Sequence, residues 1–170
     1  MSEKNNEHLI KECMRIEDDS KYTAEAHYIL ASKTKTIGFW VKIVPAAVAA
    51  VSGILVLSGC PTWVAWLAIL SGAAFALQSI LNPDQKANDY STAGKEYTAL
   101  KHEARALYQT FSKEISKPDF TVAVRLLREK YNFLVKHTPQ TTEKAFEKGR
   151  KRIKAGRHTP DFEEKEPEYE

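Results

Sequence analysis

Two cysteines, seven glycines and seven prolines in 170 residues are too few for a disulfide-rich scaffold or a collagen-like repeat. A second scarcity is positional. After Lys42 no Asp, Glu, Lys or Arg appears until Asp84, an interval of 41 residues in a chain of which 28% is charged. Such an apolar block excludes a wholly disordered chain. It also makes the averages deceptive, because a mean hydropathy of −0.42 and a mass of 19.2 kDa describe one ordinary soluble domain. The apolar content sits in one place, and the rest of the chain is correspondingly polar.

A bilayer core of about 30 Å needs roughly 20 apolar helical residues, so the block is long enough to cross twice. The first span runs from about Ile37 to Leu57 and the second from about Trp63 to Leu81, separated by Ser58, Gly59, Cys60, Pro61 and Thr62. Gly59 and Pro61 end one helix, and Pro61 with Thr62 starts the next. A buried core hairpin of a soluble protein needs a polar stripe on its outer side. The stretch from Pro61 to Leu81 has none, its strongly polar side chains being Thr62, Ser71, Gln78 and Ser79.

The first 36 residues carry six Lys or Arg against seven Asp or Glu, unlike the basic segment of a secretory signal, so the amino terminus is expected to stay with the mature protein. Lys33, Lys35 and Lys42 precede the first span, Lys86 and Lys95 follow the second, and the connecting turn has no charge. The expected topology is multi-pass with both termini cytoplasmic. Lys42 reads as a snorkelling anchor rather than an ion-pathway residue. Trp40 fits the cytoplasmic interface, and Trp63 and Trp66 fit the far one. Cys13 and Cys60 fall on opposite sides under this topology and cannot pair within one chain; Cys60 could bridge only to a neighbour's Cys60.

Outside the block the rhythm is helical, which makes the expected fold class all-α: a two-helix transmembrane hairpin with long amphipathic cytoplasmic helices before and after it. Leu9, Cys13, Ile16, Ser20, Thr23, His27 and Leu30 alternate spacings of four and three within residues 1–36, a helix expected to begin near Glu3. Residues 82–138 hold further cytoplasmic helices. Tyr90, Ala93, Tyr97, Leu100, Ala104, Leu107 and Phe111 form an a/d repeat of coiled-coil type, and Phe120, Val124, Leu127, Tyr131 and Leu134 mark a second face beyond Lys117-Pro118-Asp119. At Asn82-Pro83-Asp84, Pro83 either opens a new helix or kinks a continuous one. Residues 139–156 give a basic helix, capped by Thr141 and stopped at Gly156, with a net charge of +4 over 141–156. Residues 157–170 form an acidic tail of net −4 that is expected to be disordered. Lipid attraction or simple solvation accounts for Arg150, Lys151, Arg152 and Lys154 better than nucleic acid does, because no aromatics interleave with them.

Catalytic signatures are missing. His8, His27, His102, His137 and His158 include no i, i+4 pair, and there is no HExxH, CxxC, glycine-rich phosphate loop or G-x-S-x-G elbow. The expectation is no enzyme, no catalytic residues, no metal and no cofactor. Candidate site residues lie in the spans instead. Ala46, Ala50 and Gly53 in the first, and Ala68, Gly72 and Ala76 in the second, are small residues spaced for close helix packing, within one monomer or between subunits. Ser71 and Gln78, seven apart on one face, are candidate pore-lining or interhelical polar residues, and Ser52 is their counterpart in the first span. Two spans cannot enclose a pore, so conduction requires a homo-oligomer.

The run Arg15-Ile16-Glu17-Asp18-Asp19-Ser20-Lys21-Tyr22-Thr23-Ala24-Glu25-Ala26-His27-Tyr28 ahead of the spans carries a resemblance, as do Leu81-Asn82-Pro83-Asp84-Gln85-Lys86-Ala87 and Tyr97-Thr98-Ala99-Leu100 after them. Over residues 9 to 135 the chain resembles the SLATT family, two-transmembrane effector domains associated with bacterial nucleotide-second-messenger synthases and sensors. The resemblance implies a membrane effector of an antiphage or conflict system that forms pores or otherwise permeabilises or depolarises the membrane. It also implies an activating signal from a nucleotide second-messenger system or a separate sensor protein. A non-conducting membrane anchor whose cytoplasmic helices scaffold a partner protein is the alternative.

Overall fold

A computed structural model of the chain describes residues 6–59, 61 and 63–156. The protein is all-helical, with no strand among the described residues. Helix α1 covers Glu7–Leu57, α2 Trp63–Leu81, α3 Pro83–Gln109, α4 Lys117–His137 and α5 Glu143–Lys154, with a 3-10 turn at Phe111–Lys113. The expected start near Glu3, Cys60 and the acidic tail of residues 157–170 lie outside the described residues.

Local chemistry sets most of the helix ends. Asn82 adopts a left-handed φ of 40°, which its short polar side chain tolerates, and separates α2 from α3. Its Oδ1 accepts from Gln85 N at 3.4 Å while its Nδ2 donates to Gln85 Oε1 at 2.9 Å. With Pro83 as the first helical residue, this is a reciprocal cap, and of the two sequence alternatives Pro83 opens a new helix. Ser116 caps α4 by accepting from Asp119 N, with Pro118 in the first turn. The cap of α5 is Thr142, which accepts from Ala145 N, and not Thr141: only at Thr142 does the hydroxyl stand three residues before a free helical N–H.

The chain divides into two compact units, one formed by the segments up to Ile29 and from Tyr90 onward, the other by Leu30–Asp89. In the first unit α1, α3 and α4 share a core of Cys13, Ile16, Leu100, Ala104, Phe120, Val124 and Leu127. These are positions the alternating spacing of three and four selects. Phe111, the last of that run, stands 45% exposed because α3 ends at Gln109 and the 3-10 turn carries its ring off the stripe. Helix α5 packs on α1 at Gly149, where an added Cβ would stand 3.3 Å from Glu25 Cγ and 3.4 Å from Ala26 N. Arg152 Nη1 donates to Glu25 Oε1 at 3.0 Å beside this contact.

His27 is 1% exposed, stacked on Tyr97 at 5.6 Å between ring centroids and tilted against Tyr90 at 5.9 Å. Burial pushes its pKa down from 6.5 to about 4. The unfolded chain takes up this proton near pH 6.5 and the folded chain only near pH 4, so stability falls as the pH drops through that window. The loss at the acid end is on the order of 3 kcal/mol. Replacing His27 with Phe keeps a stacking ring without the titrating group, and is expected to remove this contribution to the slope of thermal midpoint against pH between 6.5 and 4. An unchanged slope in the variant would reject the assignment.

Candidate functional site in the apolar helices

Two helices are long and apolar enough to cross a membrane, and only 6% of the apolar window in α1 and 17% of that in α2 is buried by the chain. A core helix of a soluble protein hides its apolar face. Here Ile54, Trp66, Leu70 and Ile80 are 64% or more exposed. Trp40, Trp63 and the half-buried Lys42 also lie along this surface, both tryptophans exposed.

The inner face of this unit mixes small and polar residues. On α1 Gly38 and Ser52 are buried, and Lys42, Pro45 and Ala49 half-buried, at steps of four, three, four and three. On α2 Val64, Ser71 and Gln78 are buried at steps of seven, with Ala68 half-buried between the first two. All three polar candidates, Ser52, Ser71 and Gln78, are therefore turned inward, at 2%, 8% and 6% exposure. Ser71 Oγ donates to Leu67 O at 2.7 Å, satisfying itself on its own helix. Gln78 Oε1 is buried with no partner among the described residues.

The small-residue candidates are largely elsewhere. Ala46, Ala50, Gly53, Gly72 and Ala76 are exposed and Ala68 alone is half-buried. Nothing lies within 4 Å of a Cβ added at Gly53 or Gly72. Of the two packing alternatives, contact within one monomer is thus not what these faces make. On α1 the seam runs through Pro45, Ala49 and Ser52, one residue before the expected stripe of Ala46, Ala50 and Gly53. The buried stripe is the one that contains Ser52. Pro45 lies inside α1 and lacks an N–H, so the carbonyl of Val41 loses its usual helical partner beside this seam.

At one end of the unit the charges that bound the apolar block meet. Lys42 Nζ donates to Asp84 Oδ2 in an ion pair. A Cβ added at Gly38 would stand 3.2 Å from Pro83 Cβ and Cγ. A cavity of about 260 Å³ opens here, lined by Lys42, Phe75, Gln78, Ser79, Asn82, Pro83 and Asp84. Sequence reasoning took Lys42 as an isolated anchor and left Asp84 out of the site. The available signal was positional, since these are the last charge before the block and the first after it.

In the other unit the residues that carry the family resemblance are packing residues. Ile16, Glu17, Ser20, Ala24, Glu25 and His27 are buried. Glu17 accepts from Arg105 Nε at 2.7 Å and from Tyr108 Oη at 2.8 Å, and the hydroxyls of Tyr28 and Thr98 lie 3.2 Å apart in hydrogen-bond contact. Burial raises the Cys13 thiol to about 11, with nearby Glu12 contributing, which keeps it from serving as a nucleophile. A groove of about 550 Å³ runs between α3 and α4, floored by Leu100, Phe133 and Leu134 and edged by Glu96, Glu129 and the Glu103–Lys130 ion pair. No group of three or more His, Cys, Asp or Glu suited to a metal occurs among the described residues.

Comparison of the chain with protein-family models, with curated proteins and with solved structures finds no match.

The face assignment is testable by substitution. Gly38→Leu must displace Pro83 and is expected to destabilise the detergent-solubilised chain by about 1–3 kcal/mol, whereas Ala73→Leu, at an exposed position outside the small-residue faces, should leave the melting midpoint within error of the parent. Equal effects, read by circular dichroism, would reject the observed seam.

Proposed function

We propose that the two apolar helices form a transmembrane hairpin in a bacterial inner membrane, with both termini cytoplasmic, and that the chain is an oligomeric membrane effector of the SLATT type. Activation by a nucleotide second-messenger system or a separate sensor protein would rearrange the hairpins and depolarise the membrane in an antiphage or conflict response. The observation that carries the membrane part is the exposure of both apolar windows, 6% and 17% buried, since this surface needs lipid or other copies to cover it. The hairpin part is supported by the Lys42 to Asp84 pair, which joins the two ends of the uncharged block. The lysines flanking the block and the uncharged turn support the orientation. The oligomer is supported by the open small-residue faces of Ala46, Ala50 and Gly53 and of Gly72 and Ala76, which suit close contact between copies in lipid.

A second reading is favoured by one observation. Ser52, Ser71 and Gln78 are buried inside the unit, which leaves the outer surface apolar and describes a non-conducting anchor. The groove between α3 and α4 would then receive the partner protein.

Induced expression in bacteria carrying a membrane-potential dye separates the two. An effector collapses the potential under activating conditions, and replacing Ser71 and Gln78 with Leu abolishes the collapse while the protein stays in the membrane. An intact potential under those conditions would sink the effector reading. In a background with Cys13 and Cys60 replaced by Ser, Gly72→Cys is expected to crosslink between copies and Ser71→Cys is not.

A further inference from the structure

The cavity beside the Lys42 to Asp84 pair has a composition that the effector reading does not use. Its volume of about 260 Å³ exceeds what the surrounding side chains fill, a single water occupying about 30 Å³ of liquid. Its lining presents a cation from α1, an anion from the first turn of α3, and Gln78 from the last turns of α2. Gln78 is 6% exposed, and its Oε1 is buried without a donor among the described residues. A buried amide oxygen in this state is a standing demand for an N–H or O–H group.

The ion pair does not exhaust its own members. An ammonium carries three donors and a carboxylate about four lone-pair sites, and the single Lys42 Nζ to Asp84 Oδ2 bond uses one of each. Lys42 thus keeps donors for a second anion, and Asp84 keeps acceptor sites for a second cation. Gln78 lines the same cavity; its Oε1 is closed to water where it stands and becomes an acceptor for a ligand once the amide turns toward the opening. Phe75, 55% exposed, supplies an apolar wall at the same opening. A ligand matching this set carries adjacent opposite charges, N–H donors on its cation and an apolar remainder.

We propose that this cavity binds the zwitterionic headgroup of an aminophospholipid, the phosphate meeting Lys42 Nζ and the primary ammonium shared by the Asp84 carboxylate and Gln78 Oε1. The inference rests on the reading of the apolar helices as membrane-spanning, because only there do the ends of the uncharged block stand at headgroup depth. Headgroup chemistry fixes the selectivity. A choline headgroup has no N–H to give Gln78 or Asp84. A glycerol headgroup brings no cation, and its phosphate is opposed by Asp84.

The test uses the full chain, extracted from membranes in mild detergent and titrated with phosphatidylethanolamine, phosphatidylcholine or phosphatidylglycerol of matched acyl chains. Retained lipid is counted by native mass spectrometry. Phosphatidylethanolamine is expected to be retained about tenfold over the other two. Asp84→Asn and Gln78→Leu should each bring it down to the phosphatidylcholine level, and Lys42→Gln should weaken retention of all three. Gln78→Leu leaves the ion pair intact, so it remains informative if Asp84→Asn fails to fold. Equal retention of the three lipids, or selectivity unchanged in both Asp84→Asn and Gln78→Leu, overturns the site. A chain that integrates into membranes and shows no selectivity overturns the headgroup site alone. A chain that washes out of membranes in alkaline carbonate overturns the membrane reading and the site together.

Discussion

The pairing of Lys42 with Asp84 is the constraint on which the apolar unit depends. These residues bound an interval of 41 residues without formal charge, and they bond to each other across it. Their side chains stay 41% and 58% exposed, so the pair adds little as an attraction, and what it fixes is geometry. It sets the first turn of α3 against α1 one turn beyond Gly38, where Pro83 packs closely. Between these charges Ser52, Ser71 and Gln78 are turned inward, and leucines, isoleucines and tryptophans stay on the outside.

Polarity on the inside and apolar surface on the outside invert the arrangement of a soluble helical pair, and the same chain contains both patterns. In the unit built from α1, α3, α4 and α5, the stripe is Cys13, Ile16, Leu100, Ala104, Phe120, Val124 and Leu127, and charged residues face out. Buried acids occur there too, yet each has a cation: Glu17 has Arg105 and Glu25 has Arg152. The units therefore differ in what their surfaces expose, apolar in one and charged in the other, while the alternation of three and four residues is common to both.

Much of this was legible in the sequence. The uncharged block, the two apolar helices and the a/d run from Tyr90 to Leu107 all follow from periodicity and charge position. What was not legible was which of two neighbouring stripes faces inward. Ala46, Ala50 and Gly53 have the same four-and-three spacing as the seam one residue before them, so spacing alone cannot choose between them. The structure buries the stripe that contains Ser52, and burial depends on what lies opposite, which spacing does not encode. Asp84 escaped notice for a related reason: forty-two positions separate it from Lys42, and only the fold brings them together.

The residues behind the family resemblance have a physical reading of their own. In the run from Arg15 to Tyr28, Ile16, Glu17, Ser20, Ala24, Glu25 and His27 are buried, and Tyr28 packs within about 3 Å of where a side chain at Gly94 would begin. A pattern of this kind specifies how α1 meets α3 and α5, with Glu17 and Glu25 each fixed by an arginine from another helix. Ile16, Glu17, Ser20, Ala24, Glu25 and His27 are spent on packing while Arg15 and Asp18 stay exposed, so the buried half of the run carries the meeting of α1 with α3 and α5. The groove between α3 and α4 is tied to the same packing through Leu100, which floors it and also belongs to the core shared with Cys13 and Ile16.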